Sequence, residues 1–336
     1  MQLVTTYDTV LCADSVEWCP IAPFQRLFVC GNYQLEEDKS NGTSDAPRAR
    51  YGQILLFEYQ TELHCLQTVK CAAVLDQKWC HNLLNDCPVL AVATGHATLN
   101  IYKLQESKLH LWLSYTYSHS TEEDRMFLSV DWSTGKYHSK EPQLVVSDNL
   151  GMLHLFHLKE DGLKLINSWK LHSYEAWIGA FDYWNTKCLF SGADDSIFIQ
   201  INTETAQQQK NTSHNCGVTS MHSNAGREYT FATGSYDEFV HIWDTRMLKA
   251  PRDSAKMPGP VWRVKWHPVN HNRLITACMA EGVSIVEFEE TKPIRFLSNF
   301  KEHNDIAYGV DWYHGQDANL IASCSFYNHL LCISTY

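Results

Sequence analysis

Seven times along the chain an apolar residue is followed by a polar or charged one and then, usually, by an aromatic one. The copies are VEWCP (16–20), DQKWCH (76–81), VDWST (130–134), FDYWN (181–185), MHSNA (221–225), VKWHP (264–268) and VDWYH (310–314). Counted from Trp18, the aligned positions are Trp79, Trp132, Tyr183, Ser223, Trp266 and Trp312. The last three spacings, 40, 43 and 46 residues, match one four-stranded propeller blade. Each unit is followed by a second strand, a tight turn and a third strand with alternating apolar residues, as in CLFSGADDSIFIQI, TFATGSYDEFVHIW and LIASCSFYNHLLCIS. A closed array grows by copying its unit, so 336 residues fit one domain although no linker divides them. The pattern predicts an all-β, seven-bladed β-propeller over residues 1–336. LVTTYD (3–8), a free β-rich segment ahead of the first unit, is expected to close the ring as the outer strand of the last blade. A polar, turn-rich stretch at about 34–51 reads as an insertion between two strands of the first blade, either a tolerated loop or a lid.

Charge and motifs narrow the function classes. The formal net charge of −11 argues against nucleic acid, which needs a basic surface, and favours a cationic ligand or a basic protein patch. The start MQLVTTYDTVLCADS lacks a signal-peptide pattern, and no long apolar run is present, so the expectation is a cytoplasmic monomer without membrane contact. Twelve scattered cysteines without a C-x-x-C read as free thiols, and no metal or cofactor is expected. HPVNH places His267 and His271 four apart, but between strands, where a turn is expected rather than a helical metal pair. Nucleophile-elbow, zinc-protease, Walker and dinucleotide motifs are missing from the sequence.

The fifth unit, with IWDTR and His214, resembles the WD-repeat pattern. That resemblance implies a buried network of His214, Thr233, Asp237 and Trp243 with a structural role. Blade seven carries Asn328 and Ser334 where the pattern has Asp and Trp, which is expected to weaken its network.

Bulky aromatics cluster where strands enter the inner ring: Trp177 in EAWIGAF, Trp262 in PVWRVKW and Tyr308 in AYGVDW. The turns add Tyr236, Phe326 and Tyr327. Singly these rings could pack between blades; together they read as a recognition surface. The residues before the seven aligned positions are Glu17, Lys78, Asp131, Asp182, His222, Lys265 and Asp311, an ionisable group each time. They form either an inter-blade ion network or a polar channel with acid and base groups.

The non-repetitive stretches ADSVEWCP, KWCH, LSVDWSTGK, HSYEAWIGAFDYW, ATGSYDE, VWRVKWHP, YGVDW and CSFYNH resemble the diphthine methylesterase family of diphthamide biosynthesis, over nearly the whole chain. The resemblance implies hydrolysis of the methyl ester of diphthine on translation elongation factor 2. A non-catalytic adaptor that displays the factor to other pathway enzymes is the alternative. Diphthine carries a trimethylammonium group, which Trp177, Trp262, Tyr308, Tyr327 and Phe326 would bind through their ring faces. No catalytic set is legible. The candidates are Glu175 or His329 to activate water, Asp311 to orient it, Arg263 to stabilise the oxyanion and Tyr236 to donate a hydrogen bond, with Ser325 a weaker candidate nucleophile.

Overall fold

The computed structural model describes residues 1–36, 50–117, 124–160, 162–315 and 319–336. Seven four-stranded antiparallel sheets make a seven-bladed propeller. Their inner strands are Ala13–Trp18, Val74–Trp79, Phe127–Trp132, Ile178–Phe181, Val218–Ser223, Arg263–Trp266 and Ala307–Trp312. The strand Gln2–Asp8 pairs antiparallel with Leu330–Thr335 as the outer strand of the seventh sheet. The insertion expected at about 34–51 falls mostly on residues 37–49, outside the described residues. No helix among the described residues is long and apolar enough to cross a membrane.

The repeated aromatic earns its place by closing blade against blade. Each anchor ends an inner strand in the same ladder position: Trp18 faces Phe28, Trp79 faces Leu90, Trp132 faces Leu144, Ser223 faces Phe231, Trp266 faces Leu274 and Trp312 faces Ile321. Four of the indoles donate to a carbonyl of the preceding blade. Trp79 donates to Glu17 (3.1 Å), Trp132 to Lys78 (2.8 Å), Trp266 to His222 (3.0 Å) and Trp312 to Lys265 (3.1 Å). In these four blades the buried indole N–H finds its partner on the neighbouring blade, whereas among the described residues the Trp18 indole N–H has none.

Blade four corrects the sequence alignment by two residues. Phe181, not Tyr183, occupies the anchor position, facing Leu189 as Trp132 faces Leu144. Tyr183 and Trp184 belong to the turn that follows, where the Asp182 carboxylate accepts from the backbone N–H groups of Trp184 (3.0 Å) and Asn185 (3.3 Å). The residue before the anchor is then Ala180, so the ring is ionisable at six positions rather than seven. Tyr183 still reaches the channel, because its hydroxyl donates to Asp131 (3.1 Å). Gly135 leaves room for that ring: a Cβ there would lie 2.4 Å from it.

The WD-type network is present in blade five. His214 Nδ1 meets Asp237 (2.9 Å), its Nε2 meets Thr233 (2.7 Å), and Trp243 donates to Thr233 (3.0 Å). Burial would raise the Asp237 carboxyl, but hydrogen bonds from His214 and the N–H groups of Asn215 and Phe239 outweigh it and hold it at about 2. Blade seven keeps a version of the network. His303 bonds Ser325 (2.8 Å) and Ser323 (2.7 Å), Ser325 donates to Asn328, and the buried Ser334 hydroxyl has no partner among the described residues. Ser325 is thus buried and held in the scaffold by His303 and Asn328.

Candidate active site at the channel mouth

Two layers of the inner strands define the axis of the ring. The deeper layer is formed by the residues just before the anchors. Glu17 binds Lys78 (2.7 Å) and Lys265 (2.6 Å), and Lys265 also faces Asp311 at 3.6 Å. Asp76 receives Lys78 at 2.8 Å and Arg263 at 3.5 Å. Several side chains also accept backbone N–H groups from the next blade: Asp76 from Val130 (3.0 Å), Asp131 from Phe181 (2.9 Å), His222 from Trp266 (2.8 Å) and Asp311 from Trp18 (2.8 Å). Burial pushes Asp311 up to about 7 and Asp131 to about 6, and it pushes His81 and His314 down to about 3. The enclosed space among these groups is only about 60 Å³, room for water but not for a substrate.

The second layer lies four residues before each anchor: Asp14, Leu75, Leu128, Trp177, Thr219, Trp262 and Tyr308. All seven line one open cavity of about 420 Å³. The cause is a repeated ladder irregularity. In five blades the strand pairing skips this residue, passing from Ala13 to Ser15, Val74 to Asp76, Phe127 to Ser129, Val218 to Ser220 and Ala307 to Gly309. A bulge leaves its extra residue out of the alternation and re-aims the side chain, here towards the mouth. In blades four and six, Trp177 and Trp262 stand just ahead of the first ladder residue.

One side of this mouth is a chain of touching rings. Trp177 meets Trp262 edge-on at 5.5 Å, Tyr236 lies 5.9 Å from Trp262, and Trp262 stacks on Tyr308 at 4.6 Å. The series continues from Tyr308 to Phe326 at 5.3 Å and from Phe326 to Tyr327 at 5.0 Å. Trp177 is fixed by its indole N–H on Asp194 (3.1 Å). Gly217 permits the close approach, since a Cβ there would lie 2.7 Å from the Asp194 carboxylate and 3.1 Å from the Tyr236 ring. Leu75, Met126 and Leu128 make the opposite side aliphatic.

The sequence-derived candidates separate by depth. Trp177, Trp262, Tyr308, Phe326, Tyr327 and Tyr236 all line the mouth, and Arg263 lies at its floor, bordering both spaces. Asp311 does not reach it. Three residues further along its strand than Tyr308, it is held in the closed channel by Trp18 and Lys265. Glu175 and His329 are not among the residues that line the mouth. The Glu175 carbonyl accepts from Asp194, while the His329 ring lies 3.7 Å from Cys12 and its carbonyl receives Thr9 (2.9 Å). Asp14 is the lining carboxyl that sequence reasoning missed. It shares the four-residue offset of Trp262 and Tyr308, and that offset was the available signal.

The WD domain, G-beta repeat family profile matches residues 206–244, the blade-five segment. Curated proteins match along most of the chain. Diphthine methyltransferase of Mus musculus is 37% identical over 93% of this chain and 69% of its own length, and that of Homo sapiens is 36% identical over 91% and 74%. The chain belongs to the diphthine methyltransferase family. The Dictyostelium discoideum homologue extends the likeness to 95% of its own length and 96% of this chain, at 32% identity. A chain of the structure titled Crystal Structure of Mitotic Checkpoint Complex superposes with a TM-score of 0.76 over 100% of this chain and 92% of that one; at 13% identity this likeness concerns the fold alone.

The mouth thus combines aromatic faces with a buried cation and a buried carboxyl on one floor. Arg263 offers five N–H donors in a fixed fork, more than its ion pair with Asp76, the one it makes among the described residues, can occupy. Burial raises the Tyr236 and Tyr308 hydroxyls, with nearby carboxylates adding to the effect, so both phenols stay protonated donors at neutral pH.

Proposed function

We propose that this chain hydrolyses the methyl ester of diphthine on translation elongation factor 2 in the cytosol, releasing methanol and the free carboxylate within diphthamide biosynthesis. The observation that carries the reading is the continuous ring wall from Trp177 to Tyr327 in a protein whose relatives are named for diphthine. A trimethylammonium group has no N–H to donate. It is recognised by aromatic faces, each contributing roughly 0.5–2 kcal/mol. The net charge of −11 adds attraction at longer range.

The chemistry asked of the protein is modest. In diphthine methyl ester the cationic nitrogen and the ester carbonyl share one carbon, and the cation draws electrons from the carbonyl. Holding the cation on the rings therefore fixes the ester within reach of the floor. Arg263 would stabilise the tetrahedral oxyanion and Tyr236 would donate a hydrogen bond to it. An activated water then suffices, which fits a sequence without a nucleophile motif.

Purified protein incubated with elongation factor 2 carrying methylated diphthine should release methanol, and the factor should lose one CH2 unit in mass. Stable binding of the factor without methanol would favour the adaptor reading instead.

A further inference from the structure

We infer that Asp14 is the general base of this site, taking the proton of the water that attacks the ester. The inference rests on the esterase reading above. It is drawn from placement. Asp14 is the single carboxyl in the mouth layer, at the junction of the ring wall, through Tyr308 of blade seven, and the aliphatic wall, through Leu75 of blade two. It is 6% exposed. Among the described residues its side chain has no hydrogen-bond or ion-pair partner, although the carboxylates one layer below are each engaged. A bulge in the strand Ala13–Trp18 aims it into the cavity rather than into the ladder. A buried carboxyl without a hydrogen-bond partner is costly to retain, and the opposing charge it feels is that of Arg263, the proposed oxyanion donor.

In the step proposed, the Asp14 carboxylate accepts one proton from water while the water oxygen bonds to the ester carbonyl carbon. The carbonyl electron pair moves to oxygen and is held by Arg263. Collapse of this intermediate breaks the bond to the methoxy oxygen, which takes the proton back from Asp14 and leaves as methanol. The acid product then loses its proton to solvent, so atoms and charge balance with water as the sole co-reactant.

The surroundings suit that task. Burial pushes the Asp14 carboxyl up to about 8, with Arg263 opposing and Asp76 adding to the rise. Tyr308 and Cys324 of blade seven, and Cys12 two residues ahead of it, feel its charge. A base that titrates near the working pH is strong enough to take a proton and still able to return it. A trimethylammonium bound beside it favours the ionised form. The acidic limb should therefore lie near pH 8 for kcat/KM and lower for kcat.

The test compares wild type with Asp14→Asn and Asp14→Glu on elongation factor 2 carrying methylated diphthine. Asp14→Asn should lower kcat by roughly 100- to 10,000-fold and flatten the pH limb, while Asp14→Glu recovers part of the rate. Tetramethylammonium should still quench the tryptophan fluorescence of Asp14→Asn, which would confirm a folded, occupied mouth. Turnover in heavy-oxygen water should place the label in the product carboxylate and none in Asp14. An active wild type with an equally active Asp14→Asn overturns the role of Asp14 and leaves the esterase reading standing. Label appearing in Asp14 overturns it too, by making the residue a nucleophile. A wild type that releases no methanol overturns the esterase reading and this inference with it.

Discussion

The closed channel and the open mouth are built from the same seven strands, three residues apart, and they treat charge in opposite ways. In the channel Glu17, Lys78, Lys265 and Asp311 neutralise one another, and Asp131 is held by Phe181 and Tyr183. In the mouth Asp14 lies among rings and aliphatic side chains with no hydrogen-bond or ion-pair partner among the described residues, and feels Arg263 only through space. Satisfied charge holds blades in register; an unsatisfied one is maintained at a cost in stability. The difference teaches that charge near the axis of this ring is not by itself a sign of chemistry, and that pairing is what separates the two layers.

The largest effect should come from breaking the channel. Lys265→Met strips Glu17 and Asp311 of a shared cation, and urea unfolding should record a loss of about 3–5 kcal/mol. A loss under ~1 kcal/mol would mean that water already screens this layer. Asp14→Asn should act in the other direction. Between pH 4 and 8 native Asp14 holds a proton that the unfolded chain has released, so wild-type stability falls as pH rises through that window. The decline amounts to roughly 2 kcal/mol between pH 6 and 8, and the Asn variant should lack it. Equal slopes for both proteins would erase the contrast between the layers.

The turn carboxylate of blade five should show the opposite sign. Asp237 is held at about 2, so its contribution is complete above about pH 4 and is lost as pH falls towards 2. Asp237→Ala should cost about 1–3 kcal/mol at neutral pH and leave tetramethylammonium binding in place. Lost binding in a variant of unchanged stability would move this turn from scaffold to site. The smallest effect belongs to one ring of the wall. Trp262→Leu should weaken tetramethylammonium binding by roughly 0.5–2 kcal/mol, about 2- to 30-fold, with little change in unfolding midpoint. Unaltered affinity would place the cation elsewhere.

Seven anchors and their spacing made the propeller legible, because one ladder position recurs in every blade and in four of them carries an indole bonded to the preceding blade. Blade four misled. Its anchor is Phe181, and the more conspicuous Tyr183 and Trp184 lie in the next turn. That two-residue slip placed Trp177 six residues ahead of the supposed anchor instead of four, which hid the common offset of the mouth layer. Asp14 went unnoticed for the same reason: ADSVEW looks like any polar strand entry until Trp262 and Tyr308 are seen to share its position. Aromatic residues announced the wall by size, whereas depth along the axis, which separates Asp311 from Asp14, depends on bulges that composition does not encode.

Those bulges carry an evolutionary consequence. A residue left out of the ladder can change without altering the alternation that packs one blade on the next. The seven mouth positions therefore form a panel that can be rewritten one at a time on an unchanged frame. Grafting a different set of side chains at 14, 75, 128, 177, 219, 262 and 308 is a direct route to new ligand preferences on this scaffold.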